Sequence, residues 1–207
     1  MSKSRLEAFT DGVVAILITV MVLGLAVPHG TRPDDLVPLW PVFLSYVLSF
    51  LNLAIWWNNH HHLFQAVHHA TGRVLWANVH LLFWLSLLPW ATAWMGENGF
   101  ASLPVAAYGA ILAMAAVAYA LLVRALIAHE GRDSLLAEAV GSDRKGLGSL
   151  GLYVAAMAIA FVAPWISITI YIAVAAIWFV PDLRIERRIG HDPHEDPRHG
   201  TGAVAKG

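Results

Sequence analysis

Two groups of side chains in this chain have types and spacings that could do chemistry. The first is Asp11. It follows Arg5, Phe9 and Thr10, precedes Gly12, and stands at the mouth of Val13–Leu23, an apolar run that Pro28 closes off. Burying a lone carboxylate in apolar surroundings costs several kcal/mol, by order of magnitude, unless it finds a partner. An acid kept at that place is a functional-site candidate. The second group is histidine: His60-His61-His62, then His68-His69, with His80 beyond them. Imidazole can ligate a metal or haem, and His61 and His68, seven apart, could share a helix face. It can sense pH, since its unperturbed pKa lies near 6.5. It can also simply hydrogen-bond at a membrane interface. All three readings remain open from the residues alone. The chain has no cysteine, which excludes a disulfide framework, a thiolate metal site and a cysteine nucleophile. No nucleophile–base arrangement or phosphate loop can be placed, so no enzymatic activity, resident cofactor or nucleic-acid partner is expected.

The elements that must position these groups are apolar. Of the 207 residues 58% are hydrophobic and 13% charged, against about a quarter charged in soluble domains, and the mean hydropathy is +0.61. This is the composition of a membrane protein. Six apolar spans are expected: Ala8 to Val27, Trp40 to His61, Leu75 to Met95, Pro104 to Ile127, Leu147 to Ala163 and Trp165 to Leu183. Each is near the roughly 20 residues that a helix needs to cross the hydrocarbon core, the fifth being short. The fifth meets the sixth at Ala163-Pro164-Trp165, a hairpin without a polar loop. The first span has no small-residue cleavage site and reads as a retained helix. The expected fold is an all-α integral membrane protein with a six-helix domain over 1–184. After it, 185–207 reads as a flexible cytoplasmic tail, too poor in apolar surface to order itself.

With six spans both termini share a side. That side holds Lys3, Arg5, Arg73, Arg124, Arg132, Arg144, Lys145 and the basic residues from Arg184 onward, while only Arg32 falls opposite. The bias places both termini in the cytoplasm. No run of Arg at every third position lies within a span, so strong intrinsic voltage gating is not expected.

One stripe of the first helix reads Phe9, Gly12, Ile16, Thr19 with Val20, Leu23 and Val27, by the three- and four-residue neighbour rule. At about 100° per residue Asp11 lies some 140° around from Ile16. If the stripe faces an aqueous axis, Asp11 faces neighbouring helices and holds the cytoplasmic end of the bundle. By spacing alone the stripe could equally face lipid or an ordinary helix interface.

Arg5-Leu6-Glu7-Ala8-Phe9-Thr10-Asp11-Gly12, followed by Ile16, Thr19 and Pro28, resembles the R-x-x-x-F-S-D-G signature of a family of potassium channels found in endolysosomal membranes and in bacteria, which lack the usual pore loop. Further matches lie in Trp57-Asn58-Asn59-His60-His61-His62 and in Asn78-Val79-His80, running on to Pro89-Trp90. The resemblance covers the first three spans; the last three agree in number and hydrophobicity. It implies a pore on a symmetry axis lined by the first helix of each repeat. Animal members carry two six-helix repeats and dimerise, so this single repeat implies a homotetramer. The resemblance puts the narrow constriction at Ile16, further hydrophobic layers at Val20 and Leu23, and a polar layer that helps select potassium at Thr19. It also suggests that Trp57, His60 or His61, and Asn78 contact the network of Arg5, Phe9, Thr10, Asp11 and Gly12. Thr10 stands where the family has Ser and keeps the hydroxyl. Gly24 stands where many bacterial members carry an acid, which lessens cation attraction at the outer mouth.

A ring of branched aliphatic side chains gates by shedding water when narrow and rewetting on slight widening, so it can be gate and sieve together. It has no carbonyl cage, and modest potassium selectivity is expected. The leading expectation is therefore a potassium-favouring cation channel of the bacterial plasma membrane. Its partners are lipid, other copies of itself and monovalent cations, with potassium as the permeant ion. The alternative is an embedded metal- or haem-binding redox or transport protein using His60, His61, His68, His69 and His80. A secondary transporter fits less well, because no pair of broken helices occupies matching halves.

Overall fold

The structure is a computed structural model that describes residues 2–65, 67, 70–131, 134, 136–137 and 144–179. His68, His69, the end of the sixth expected span and the whole tail 185–207 lie outside the described residues. All described regular structure is helical. Helix α1 covers Lys3–Leu23, a 3₁₀ helix Pro33–Leu39, α2 Trp40–Gln65, α3 Gly72–Ser86, α4 Leu88–Glu97, α5 Ser102–Glu130, α6 Arg144–Ile159 and α7 Pro164–Phe179. Among the described residues four stretches are long and apolar enough to cross a membrane: Lys3–Leu23, Pro33–Gln65, Gly72–Glu97 and Ser102–Glu130. The helices of the fifth and sixth expected spans have 16 residues each, which is about 24 Å of helix.

Two expectations are corrected in detail. The first helix starts five residues earlier than its apolar run and ends before Val27. Its opening turns hold Lys3, Arg5 and Glu7, which favour helix without being apolar. At its other end Gly24 caps it, with the N–H of Gly24 on the carbonyls of Met21 and Val22. Val27 therefore lies beyond the helical stripe. The third expected span is two helices, broken at Leu87. Pro89 occupies the first turn of α4, where its missing N–H costs nothing, and it could not have continued α3 without clashing.

Helix α5 is the spine, packed between α3 and α6, with α4 also against it. Small residues let backbones close in, which matters where lipid removes the usual hydrophobic drive between helices. Gly96 of α4 lies against α2, where a Cβ would meet Ser45 Oγ and come within 2.8 Å of Val42 Cα. Gly109 of α5 lies against α7, where a Cβ would meet the Tyr171 hydroxyl and come within 2.7 Å of its ring. At one end of the bundle, Trp40, Phe100 and Trp165 join the start of α2, the α4–α5 turn and the start of α7, with ring centroids 4.9 to 5.6 Å apart. Helix α1 packs on α2, α4 and α3, and this leaves one long face of it uncovered.

Candidate ion pathway

Helix α1 has two unlike faces. Leu6, Thr10, Val14, Leu17 and Met21 are buried against the bundle. Opposite them Phe9, Gly12, Ile16, Thr19, Val20 and Leu23 are exposed, Ile16 at 60% and Leu23 at 81%. A bare aliphatic row of this length along a helix that is anchored on its other side marks a contact surface or a pore wall. Thr19 adds the one polar feature. Its hydroxyl donates to the carbonyls of Ala15 at 3.0 Å and Ile16 at 2.9 Å. The hydrogen is thus occupied within the helix, and the oxygen lone pairs are what Thr19 offers outward.

The end of α1 that carries the acid is held by side-chain hydrogen bonds. Trp57 of α2 donates its ring N–H to Asp11 Oδ1 at 2.8 Å. Asn78 of α3 donates to Thr10 Oγ1 at 2.8 Å, and its own Oδ1 lies 2.8 Å from His60 Nε2. An amide oxygen only accepts, so His60 must carry its hydrogen on Nε2 there. His60 also stacks on Phe64 with centroids 4.4 Å apart. Thr10, His60 and Asn78 are buried, and a buried polar group left unpaired is costly. One chain of donors, His60 to Asn78 to Thr10, thereby joins α2, α3 and α1.

The remaining expected network residues sit differently. Arg5 does not reach Asp11 within the chain. It is exposed beside Phe9 and lines a shallow groove with Leu75, Trp76 and Val79 of α3. Position 5 lies six residues from position 11, hence about 120° away around the helix. Gly12 is exposed, and a Cβ there would meet nothing within 4 Å. His61 touches the network only by stacking on Trp57 at 5.9 Å, with Nε2 2.9 Å from Gln65 Nε2. His80 Nε2 accepts from Trp84 at 3.0 Å. Among the described residues no three His, Cys, Asp or Glu side chains converge as metal ligands would. Gly24 closes α1 as its cap.

Sequence reasoning missed a second buried polar cluster. The hydroxyls of Ser49 in α2 and Thr92 in α4 are 2.6 Å apart. The Tyr108 hydroxyl of α5 lies 3.1 Å from Ser49 Oγ and 3.3 Å from Asn52 Nδ2. Thr92 Oγ1 is also 3.9 Å from the sulfur of Met21 in α1. The signal was present as polar residues inside apolar spans, which are expected to find one another.

A protein-family model, described as the endosomal/lysosomal potassium channel TMEM175, matches residues 5–89. A protein of Chryseobacterium sp. named potassium channel is 52% identical over 189 residues, covering 91% of this chain and 98% of that one. The chain belongs to the TMEM175 family. A Streptomyces collinus protein, also named potassium channel, is 34% identical across 78% of this chain and 84% of its own length. The human relative, named an endosomal/lysosomal proton channel, is 33% identical over 116 residues, which is 50% of this chain and 23% of the human one. Among solved structures, the crystal structure of a lysosomal potassium-selective channel TMEM175 homologue from Chamaesiphon minutus is similar. Its TM-score is 0.75 at 28% identity, over 87% of this chain and 97% of that chain. The TMEM175 family and these relatives are ion channels rather than enzymes, and nothing in them favours the metal- or haem-binding alternative.

Proposed function

We propose that this TMEM175-family chain is a potassium-favouring cation channel of the bacterial plasma membrane, built from four copies around a pore that the α1 helices line. The carrying observation is the bare aliphatic row on α1. Phe9, Ile16, Val20 and Leu23 are exposed on a helix whose opposite face is buried and hydrogen-bonded. Four such rows facing one axis give an apolar constriction, narrowest at Ile16, with Val20 and Leu23 as outer layers. The Thr19 oxygens form a polar ring between them, and a ring of lone pairs favours a partly dehydrated cation. Asp11, Thr10, Trp57, His60 and Asn78 hold the inner end of each pore helix. Six spans put both termini in the cytoplasm, by the excess of Lys and Arg there.

The test is reconstitution into a planar bilayer, with the reversal potential read under opposed potassium and sodium gradients for the wild type and for Ile16→Asn. A potassium-favouring current with reduced selectivity in the variant is the expected result. A current indifferent to Ile16→Asn would reject the α1 pore wall, and no current from verified tetramers would reject the channel. The same bilayer under a pH gradient reads proton conduction, which the names of the animal relatives raise for this chain.

A further inference from the structure

The turn between α6 and α7 is apolar where its neighbours at the same end of the bundle are not. It reads Ala160-Phe161-Val162-Ala163-Pro164-Trp165, and no residue from 147 to 179 carries a charge. Phe161 is 62% exposed and Val162 89%, with Trp165 and Ile166 half-exposed beside them. The other segments at this end carry Arg32, Asp34 and Asp35 before α2, and Glu97 and Asn98 before α5. The bare side chains come with a closed backbone. The N–H groups of Ala160 and Phe161 go to the carbonyls of Ala156 and Ala158, and those of Val162 and Ala163 to Ile159, at 2.8 to 3.4 Å. Ile166 N–H returns to Ala163 O at 3.0 Å, and Pro164 has no N–H to satisfy. A turn bonded in this way loses little on leaving water, because unpaired backbone groups are what lipid penalises.

Length agrees with this. Helix α6 has 16 residues, a rise of about 24 Å, against a hydrocarbon core of about 30 Å. Its far end is pinned. Lys145 Nζ lies 4.5 Å from the centroid of the Trp178 ring, whose N–H donates to Ser149 Oγ at 2.8 Å, and Lys and Trp are residues that settle at a membrane interface. Counted from that anchor, α6 stops short of the opposite boundary. Helix α5, with 29 residues, rises about 43 Å and passes it.

We propose that the α6–α7 turn is a lipid-binding surface that lies inside the outer leaflet. Phe161 and Val162 sit among the acyl chains just beneath the headgroups, while the segments at 32–35 and 97–98 stand in water. The occupant is lipid hydrocarbon, by the match of an uncharged, backbone-saturated turn to a solvent that tolerates neither charge nor open backbone groups. The surface is also continuous with the exposed apolar side chains of the two helices below it, at Leu152 and Val154 of α6 and Ile172 and Ile177 of α7. Trp165 fixes the depth. It stacks on Trp40 at 5.6 Å and on Phe100 at 4.9 Å, so the turn is tied to the start of α2 and to the α4–α5 turn at the level of an aromatic belt. This inference does not depend on the α1 pore wall.

The chain has no cysteine of its own, so single thiols read depth directly. Val162→Cys is compared with Asp34→Cys, the Asp34 side chain being 80% exposed, in the full chain reconstituted into phosphatidylcholine–phosphatidylglycerol vesicles. A charged maleimide is loaded on both faces by freeze–thaw, so sidedness does not enter. Val162→Cys is expected to label about tenfold or more slowly than Asp34→Cys, because apolar surroundings disfavour the reactive thiolate. Both label alike once the protein is unfolded in dodecyl sulfate. A nitroxide attached at 162 should collide more with oxygen, which partitions into lipid, than with a nickel chelate, which stays in water; at 34 the order reverses. Equal labelling rates, or nickel exceeding oxygen at 162, puts the turn in water and overturns the proposal. Weak collision with both reagents overturns it the other way, since a second copy or another protein then covers the turn. Val162 is almost free of neighbours, and Phe161→Cys repeats the measurement should the first variant fold poorly. None of these outcomes alters the reading of α1, which the bilayer recordings of Ile16→Asn test separately.

Discussion

Asn78→Leu puts the inner clamp to a quantitative test. Asn78 is fully buried, accepts from His60 Nε2 and donates to Thr10 Oγ1, both at 2.8 Å. Leucine keeps the branched four-heavy-atom outline of the side chain, so the change removes two hydrogen bonds without opening a cavity. It leaves the His60 ring N–H and the Thr10 oxygen without their partner, at 3% and 1% exposure. An orphaned buried polar group costs about 1–3 kcal/mol, so the pair costs roughly 2–6 kcal/mol per chain. At about 2–4 °C per kcal/mol for a chain of this size, the midpoint of heat-induced loss of the folded chain should fall by roughly 4–24 °C. Heating purified protein and scoring the surviving peak by size-exclusion fluorescence measures it. The companion variant His60→Phe removes the buried donor together with the bond, and the double variant replaces both partners by apolar groups. Because an apolar pair leaves one fewer orphan than Asn78→Leu alone, the double variant should melt well above the sum of the two single losses. A midpoint for Asn78→Leu within about 2 °C of the wild type, or strict additivity in the double variant, refutes the reasoning that these bonds are buried and coupled.

Other perturbations have equally definite outcomes. Asp11→Ala removes the acceptor of the Trp57 ring N–H and should weaken assembly or gating, measured as tetramer yield and open probability, while the potassium-to-sodium permeability ratio stays near the wild type. Gly96→Ala forces a methyl group against Val42 backbone and Ser45, which should cost about 1–3 kcal/mol of stability. Gly12→Ala meets nothing within 4 Å, so the melting midpoint of the isolated chain should not fall, and any effect it has must come from neighbours around the axis. With no carbonyl cage along α1, the reversal potential should show selectivity for potassium over sodium below about a hundredfold.

The apolar segments were legible because hydropathy reads them directly, and each of the six expected spans overlaps a helical stretch. What hydropathy cannot read is where a segment bends. Leu75 to Met95 is one continuous apolar run, yet Pro89 splits it at Leu87, and the signal was the proline rather than the composition. The start of α1 was missed for the opposite reason, since Lys3, Arg5 and Glu7 favour a helix but are polar. Asp11 was legible as an acid that needed a donor, and Trp57 supplies one. Arg5 was grouped with it by the motif, but positions 5 and 11 point in different directions, and a motif string carries no angle. Ser49, Thr92 and Tyr108 escaped notice because hydroxyl side chains are nearly neutral in hydropathy and these three come from three separate spans, meeting only when α2, α4 and α5 pack.

The direction of the His60–Asn78–Thr10 chain bears on acidity. His60 already gives its Nε2 hydrogen to an amide oxygen that can only accept. Taking up a proton would place it on Nδ1, the other ring nitrogen, and would leave that bond intact. His60, Asn78 and Thr10 therefore keep their roles as giver or receiver whichever protonation state the ring holds. The donor–acceptor order of this clamp on α1 is independent of whether the His60 ring is neutral or charged, so proton uptake does not by itself force these bonds to swap direction.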